Sequence, residues 1–279
     1  MQILLAQSAG FCFGVKRATK MAFEAAGRHC PICSLGPIIH SPQLVEKLAE
    51  KGVEVVERVE DIKDGAVIVR SHGVAAEEIV ELQKRKLKIV DATCPFVKKA
   101  QQHAAMLSHE GYTVVLVGEA EHPEVQGIVS YAAQGDVYVV ADRSQAENLP
   151  SIARIGVVAQ TTQSFDNFRQ IVDVCLDKSR ELRVFNTICD ATALRQSEAR
   201  SIATQSDLII VIGGFNSANT NRLAQICQEI QPRTYHVETV EQIKPEWFGG
   251  VHVVGITAGA STPRWLIEEI VAVVSAIEK

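Results

Sequence analysis

Residues 87–111, "LKIVDATCPFVKKAQQHAAMLSHEG", change from a strand pattern to a helix pattern at one cysteine, Cys94. The apolar run before it is short and β-branched, as buried strands are. Pro95 then stands where helices accept proline, in the first turn of the amphipathic segment that follows. A strand that passes directly into a helix is the repeating element of α/β proteins with parallel sheets.

The same alternation occurs along the whole chain. Strand-like runs are separated by helix-like segments, and several runs, such as "LIIVIG" at 208–213, are apolar without alternation. Continuous apolar runs are typical of parallel strands, which are covered on both faces. The predicted strands include "QILLAQ" (2–7), "GAVIVRSHG" (65–73), "YTVVLVG" (112–118), "DVYVVAD" (136–142), "RIGVVAQ" (154–160), "SDLIIVIGG" (206–214) and "GVHVVGITAG" (250–259). The predicted fold class is therefore α/β with parallel sheets.

Three cysteines lie at strand exits, and their spacing predicts the domain organisation. Cys12 lies in "GFCFGV", and Cys189 in "NTICDAT" resembles Cys94 in "IVDATCP". The three are 82 and 95 residues apart, and each interval is long enough for one small α/β unit. We predict units at 12–94, 95–188 and 189–279, with the N-terminal strand 1–11 joined to the last.

Composition excludes several classes of protein. The 279 residues are 47% hydrophobic and 22% charged, with a formal net charge of −5, which argues against non-specific nucleic-acid binding. The apolar stretches are too short or too interrupted for a membrane span, and the first residues lack a basic leader. We predict a soluble cytoplasmic protein, in which seven cysteines would remain reduced.

The other four cysteines are interpreted as packing residues. Cys30 and Cys33 form a CxxC in "HCPIC", a pattern found in redox pairs and zinc sites, but no second CxxC accompanies it. Cys175 and Cys227 lie within amphipathic helix patterns, which predicts core positions.

In open α/β sheets, ligands bind beyond the carboxyl ends of the strands. Thiolates from Cys12, Cys94 and Cys189 would suit an iron–sulfur cluster, in which three cysteine ligands leave one iron open to substrate. An open position is typical of a catalytic metal that acts as a Lewis acid. The alternative is that each cysteine is only a small apolar residue at a strand end.

Several helix starts follow the strands and predict an anion site. Backbone N–H groups at a helix N-terminus bind phosphate, although each start can also be ordinary capping. The residues singled out at these exits are His40, His72, Ser217, Asn219 and Ser261. The remaining histidines lack this setting, and surface or packing roles are predicted for His29, His103, His109, His236 and His252.

"EAEHPEVQG" places His122 and Glu124 at another strand exit, and "AQTTQS" places Thr161 at the next. A carboxyl group shielded from water there would have a raised pKa and could donate a proton. The alternative is a first-turn glutamate that the helix dipole favours.

Nine motifs, taken together and in order, resemble the 4-hydroxy-3-methylbut-2-enyl diphosphate reductase family, also called IspH/LytB. They cover essentially the whole chain: "GFCFGVKRA", "GPIIHS", "RSHGV", "DATCPFV", "EHPEVQG", "AQTTQS", "ICDATALRQ", "NSANTNRL" and "ITAGASTP". The resemblance implies three α/β units in a pseudo-threefold arrangement around a central [4Fe–4S] cluster, which can be seen as [3Fe–4S] if the open iron is lost. It also implies an oxidoreductase of the methylerythritol phosphate pathway of isoprenoid biosynthesis. The expected reaction, the last of that pathway, removes the substrate's allylic hydroxyl and yields isopentenyl and dimethylallyl diphosphate.

The resemblance also implies roles for individual residues. It makes Cys12, Cys94 and Cys189 the cluster ligands and Glu124 the proton donor. The diphosphate would be held by His40, His72, Ser217, Asn219 and Ser261, with His122 and Thr161 near the hydroxyl. Ferredoxin or flavodoxin would supply electrons, consistent with the lack of a G-x-G-x-x-G dinucleotide fingerprint after the first strand.

Two departures from the family pattern are expected to affect one phosphate contact (Ala218) and helix capping (the serine after His40) more than chemistry. Many relatives have a second serine where this chain has Ala218, which offers only its backbone N–H, and serine follows His40 where asparagine is common.

Two other classes of function remain as alternatives. A non-enzymatic iron–sulfur sensor would typically need a basic partner surface, and a dinucleotide-dependent enzyme would need the glycine fingerprint.

Overall fold

The computed structural model describes residues 1–29 and 31–277. Within these residues, twelve strands form three four-stranded sheets, and all the strand pairs are parallel. The strands are β1 (Gln2–Leu5), β2 (Ile32–Leu35), β3 (Val53–Val56), β4 (Ala66–Val69), β5 (Lys88–Asp91), β6 (Thr113–Val117), β7 (Val137–Val140), β8 (Ile152–Ala159), β9 (Ser179–Val184), β10 (Leu208–Ile212), β11 (Thr234–Val237) and β12 (Val253–Ala258). The predicted α/β class with parallel sheets is confirmed.

Helices connect almost all of these strands. In the described part of the chain they are α1 (Phe13–Ala26), α2 (Pro42–Ala49), α3 (Ala76–Lys84), α4 (Pro95–His109), α5 (Pro123–Tyr131), α6 (Arg143–Glu147), α7 (Phe165–Lys178), α8 (Asp190–Thr204), α9 (Ala218–Ile230) and α10 (Arg264–Ala276). Short 3-10 helices lie at Val59–Asp61, Val240–Gln242 and Pro245–Phe248.

The three sheets share one topology. Sheet A has the order β11-β10-β12-β1, sheet B β3-β2-β4-β5, and sheet C β7-β6-β8-β9. In sheets B and C the chain runs outward from one inner strand to one edge, then from the other inner strand to the other edge. In sheet A the chain likewise runs from β10 to the edge strand β11, but the edge beside β12 is occupied by the N-terminal strand β1. The two inner strands therefore flank a topological switch point, where ligands bind in open α/β sheets.

The chain divides into two compact units. One consists of Met1–Lys16, His40–Leu44 and Asp190–Lys279 and contains sheet A, and the other consists of Arg17–Ile39 and Val45–Cys189 and contains sheets B and C. The strands of sheets B and C fall within 12–94 and 95–188 respectively. The division at 12–94, 95–188 and 189–279 itself stays a prediction.

The apolar strands are buried because helices cover both faces of each sheet. In sheet A, Ile210 and Ile212 pack with Ile270 of α10, whereas the intervening Ile209 and Val211 pack against α8 and α9. Side chains alternate across a strand, so a strand covered on both faces is apolar at every position. This explains "LIIVI" at β10, all five of whose residues are buried.

Cys33, Cys175 and Cys227 are buried in hydrophobic clusters, as predicted. Burial raises the pKa of Cys175 to about 11 and that of Cys227 to about 12, so neither thiol is a thiolate at neutral pH. Cys30 lies outside the described residues.

Candidate active site

The three strand-exit cysteines occupy the same topological position in the three sheets. Cys12 follows β1, Cys94 follows β5 and Cys189 follows β9, and these are corresponding edge strands. Each cysteine N–H donates to a carbonyl beyond the neighbouring inner strand: to Ala260 O at 3.2 Å, Ser71 O at 2.9 Å and Thr161 O at 3.0 Å, respectively. All three cysteines are partly exposed, in contrast to the three buried ones. The same backbone geometry thus presents one thiol at each sheet.

The loop before Cys12 is held by two residues of α8 to which the sequence analysis assigned no role, although one of them, Arg195, lies within the motif "ICDATALRQ". The Arg195 guanidinium is 5% exposed and donates to Gly10 O at 2.7 Å. The Glu198 carboxylate accepts from the backbone N–H groups of Gln7 and Ser8 at 2.6 and 2.9 Å. Burial alone would raise the pKa of Glu198, but the hydrogen bonds from Ser8 and Gln7 lower it, so the carboxylate is ionised. The loop is therefore fixed by charge-assisted hydrogen bonds from Arg195 and to Glu198.

Gly10 has a backbone conformation that explains the glycine of the "GFCFGV" motif. Its φ is +96°, in the left-handed region that other residues seldom adopt. A Cβ there would also lie 3.2 Å from Cδ1 of Ile267. Glycine is thus needed two residues before Cys12.

Glu124 and Thr161 meet at the switch point of sheet C. Glu124 lies in the first turn of α5, beyond β6, and Thr161 lies just beyond β8. The carboxylate, 1% exposed, accepts from the backbone N–H of Thr161 at 2.6 Å and from its hydroxyl at 3.0 Å. Glu124 is therefore shielded from water.

The burial of Glu124 changes its protonation. Desolvation raises its pKa to about 7, although the two hydrogen bonds from Thr161 oppose this, and the charge of Glu119 adds to the rise. A carboxyl group with that pKa is about half protonated at neutral pH, so it can give and regain a proton under cellular conditions.

Two histidines flank this carboxyl group. His122 caps α5, where its Nδ1 accepts from the backbone N–H of Glu124 at 3.1 Å. A neutral imidazole that accepts at Nδ1 carries its proton on Nε2. The His72 ring, which follows β4 of sheet B, lies edge-on to the His122 ring with their centroids 5.5 Å apart. His72, His122, Glu124 and Thr161 are thus brought together in one unit.

Gln160 is a further polar residue at this position, and the sequence analysis did not select it. It is 1% exposed, and its Oε1 accepts from the backbone N–H of Glu119 at 3.1 Å. Its Nε2 is buried and has no hydrogen-bond partner among the described residues. The motif "AQTTQS" contained the signal, because a second polar residue stands directly beside Thr161 at the strand exit.

The second group of predicted site residues lies at the switch point of sheet A. Ser217 caps α9, beyond β10, and its hydroxyl accepts from the backbone N–H of Thr220 at 3.4 Å. Asn219 follows in the first turn at 5% exposure, and Ser261 lies beyond β12 at 8%. Asn219 Nδ2 and Ser261 Oγ are buried without a partner in the described part of the chain. Buried polar atoms of this kind are expected to bind a ligand or water.

In the unit that contains sheet A, a small cavity is lined by residues from two of the sequence motifs. Its lining includes His40 and Ser41 from "GPIIHS" and Ser261 and Thr262 from "ITAGASTP". Gly213 and Gly214 line it as well, and a Cβ on Gly213 would lie 2.6 Å from Thr262 Oγ1. Glycine therefore allows the exits of the two inner strands to approach closely.

Within residues 1–29 and 31–277, no helix has both the length and the apolar character needed to cross a membrane.

Comparison with known proteins gives the family. The model of the LytB protein family matches residues 3–275. The chain belongs to this family. It is 67% identical over 279 residues to the 4-hydroxy-3-methylbut-2-enyl diphosphate reductase of Syntrophotalea carbinolica, covering all of both chains. It is 60% identical to the reductase of Geotalea uraniireducens, over 100% of this chain and 99% of the relative. The resemblance seen in the sequence motifs is confirmed.

Two solved structures resemble this LytB family member over almost its entire length. One is (E)-4-hydroxy-3-methyl-but-2-enyl diphosphate reductase, the terminal enzyme of the non-mevalonate pathway. It has a TM-score of 0.72 and 46% identity, and the match covers 99% of this chain and 100% of that one. The other, the E-1-hydroxy-2-methyl-but-2-enyl-4-diphosphate reductase of Plasmodium falciparum, has a TM-score of 0.93 and 29% identity, with 98% and 88% covered.

Membership of the LytB family implies an iron–sulfur cluster, and the donors of this chain fit one. The three thiols at corresponding strand exits are partly exposed, and thiolate is the usual ligand of iron in such clusters. The buried cysteines, with their raised pKa values, are poorer candidates.

Proposed function

We propose that the chain catalyses the reductive dehydroxylation of 4-hydroxy-3-methylbut-2-enyl diphosphate to isopentenyl and dimethylallyl diphosphate. The reaction consumes two electrons and two protons, breaks the allylic carbon–oxygen bond and releases water. It is the last step of the methylerythritol phosphate route to isoprenoids, and we place it in the cytoplasm. The observation that carries the proposal is the buried Glu124 beside Thr161, in a chain of the LytB family.

Cys12, Cys94 and Cys189 would hold a [4Fe–4S] cluster, which would become [3Fe–4S] if the iron without a cysteine ligand were lost. The support is their shared backbone position and their partial exposure. When bound, the cluster supplies electrons and a Lewis-acidic iron for the departing hydroxyl. Arg195 and Glu198 would keep the Cys12 loop in place for this purpose.

The diphosphate would be bound by His40, His72, Ser217, Asn219 and Ser261. The N-terminus of α9 offers backbone N–H groups to an anion, including that of Ala218. The unpartnered Asn219 amide and Ser261 hydroxyl are neutral donors that can contact phosphate oxygens without burying another charge. The role of His72 rests on the family resemblance alone.

Glu124 would donate the proton that allows the hydroxyl to leave as water. The Thr161 N–H and hydroxyl hold the carboxyl group in one orientation, and burial keeps a fraction of it protonated at neutral pH. His122 and Thr161 would shape the pocket at the hydroxyl end of the substrate. A positioned acid with a pKa near the working pH is the efficient arrangement for proton transfer.

The electron donor decides between this function and a dinucleotide-dependent one. We expect anaerobically purified protein to turn over the diphosphate with reduced flavodoxin or ferredoxin, or with dithionite as a chemical reductant. NADPH alone should not support turnover. Turnover with NADPH by protein that contains no iron would contradict the proposal.

The protonation of Glu124 predicts how the rate depends on pH. The proton donor is present below its pKa of about 7 and is lost as the pH rises through that value. We therefore expect kcat with dithionite to fall about tenfold for each pH unit well above 7. The Glu124→Gln variant should lack this dependence in its residual rate. An identical alkaline decline in both proteins would assign the titration to another group.

Asn219→Ala is expected to weaken substrate binding more than chemistry. The diphosphate does not change during the reaction, so a contact with it stabilises the ground and transition states equally. We expect KM to rise about tenfold with kcat nearly unchanged, as measured by steady-state kinetics. Asn221→Ala, on the same helix, is a matched control because its amide donates to Phe215 O instead. An unchanged KM for Asn219→Ala would remove Asn219 from the site.

A further inference from the structure

A continuous surface in the larger unit joins the elements that carry two of the strand-exit cysteines. We call it the α4 face, and it consists of Phe96, Lys99, His103 and Met106 of α4 together with Phe185. The four helix residues are spaced three, four and three apart, so they lie on one side of the helix. The stripe begins two residues after Cys94.

Phe185 connects this stripe to Cys189. The rings of His103 and Phe185 stack, with centroids 4.1 Å apart and planes 15° apart. From Phe185 the chain runs beside β8: the Phe185 N–H donates to Val157 O at 2.9 Å, and the Cys189 N–H donates to Thr161 O. The α4 face therefore lies between the start of the helix at Cys94 and the segment that ends at Cys189.

The composition of this face is that of a protein-binding surface. Phe96 is 37% exposed, although burial of a phenylalanine ring stabilises a protein. Exposed aromatic side chains are enriched in the buried centres of interfaces. Partly exposed apolar surface on the α4 face is consistent with a partner protein that covers it transiently.

The charge of the face is positive. Helix α4 contains two lysines and no acidic residue. Lys98 is paired with Asp91, whereas the exposed Lys99 forms no ion pair with any described residue. At the far end of the helix Arg183 and Glu110 neutralise each other. Burial, and then the charge of Lys99, lowers the pKa of His103, so the histidine is neutral and Lys99 carries the unpaired positive charge of the α4 face.

We propose that the α4 face is the docking surface for an acidic one-electron carrier protein that reduces this enzyme. This inference rests on the proposed function, which requires electrons from outside the chain. A chain with a net charge of −5 repels an acidic partner in general, so local positive charge directs docking to this surface. Each docking event oxidises the carrier and reduces the enzyme by one electron. Two such events and two protons complete one turnover.

The test compares two reductants on the anaerobic, cluster-loaded protein. Reduced flavodoxin must dock, whereas dithionite is small and needs no docking surface. With Lys99→Glu, we expect KM for flavodoxin to rise about tenfold at low salt, because reversing a charge at an interface slows association. The rise should shrink at high salt, which screens the interaction. Dithionite-driven turnover should be unchanged, and Phe96→Ala should show the same pattern without the salt dependence.

Two lysine variants serve as comparisons. Lys84→Glu reverses an exposed charge near the end of α3 and should leave flavodoxin kinetics unchanged. Lys16→Glu tests α1, where the sequence "CFGVKRA" repeats the pattern of "CPFVKKA" in α4. The assignment of the α4 face would be overturned if only Lys16→Glu raised KM for flavodoxin. It would also be overturned if neither Lys99→Glu nor Phe96→Ala raised it.

A fall in dithionite-driven turnover for Lys99→Glu would also overturn the assignment of the α4 face as a docking surface, because Lys99 would then act on the chemistry. Absence of dithionite-driven turnover in the unsubstituted protein would contradict the proposed function, and the docking inference with it. Failure of docking alone leaves that turnover intact, so the two failures are distinguishable.

Discussion

Glu124→Gln is expected to lower turnover about 10²–10⁴-fold, the usual cost of losing a positioned general acid. Glutamine has the shape of glutamate, and its carbonyl oxygen can still accept from the Thr161 N–H. The hydroxyl of Thr161 can accept from the new amide, so the local structure should be retained. Only the transferable proton is lost. Substrate affinity should stay within about twofold, because Glu124 is not among the residues proposed to bind the diphosphate.

The competing interpretation treats Glu124 as a helix-start residue. A carboxylate there would stabilise α5 by about 0.3–1 kcal/mol through the helix dipole, and its loss would lower the melting temperature with little change in kcat. Measuring kcat and melting temperature on the same anaerobic preparation separates the two interpretations. Glu121→Gln, an exposed glutamate three residues earlier, is the matched control. Turnover near that of the unsubstituted protein, with the cluster intact, would exclude Glu124 as the donor.

Replacing Cys12, Cys94 or Cys189 with serine is expected to remove most of the bound iron and the visible absorbance of the cluster. A serine hydroxyl is a much weaker ligand for iron than thiolate, and with only three ligands the cluster cannot spare one. The measurement is the iron and sulfide content per chain after anaerobic purification, together with the absorption spectrum.

Cys175→Ala and Cys227→Ala are the controls, because both side chains are buried in hydrophobic clusters. They should retain the cluster with a small loss of stability from the cavity. The ligand assignment would be wrong if the Cys30→Ala/Cys33→Ala double variant lost the cluster and Cys94→Ser kept it.

The inner strands of the sheets could be predicted from sequence, and three edge strands could not. "LIIVI" at β10 is apolar throughout because both of its faces are covered. By contrast β9, "SRELRV", is an edge strand whose polar residues are mostly exposed, and its first two residues fit the helix pattern of α7. Charged residues on edge strands prevent unwanted pairing, and they also remove the apolar signal. The strands β3 and β11 were missed as well.

The site residues were predictable where topology alone decides their position. Glu124 and Thr161 follow the two inner strands of one sheet, so they meet at its switch point whatever their side chains pack against. The raised pKa of Glu124 depends on its burial, which the sequence could only suggest. Arg195 was not predictable, because it contacts Gly10 across 185 residues of chain.

The fate of the substrate hydroxyl tests the central claim most directly. Anaerobic protein with dithionite in deuterated water should convert the diphosphate to isopentenyl and dimethylallyl diphosphate. Mass spectrometry should show that both products have lost the hydroxyl oxygen and have gained one solvent deuterium on carbon. Only one deuterium is expected there, because the other of the two protons consumed leaves with the hydroxyl oxygen as water. Products that retain the oxygen, or that lack deuterium, would contradict reductive dehydroxylation by this chain.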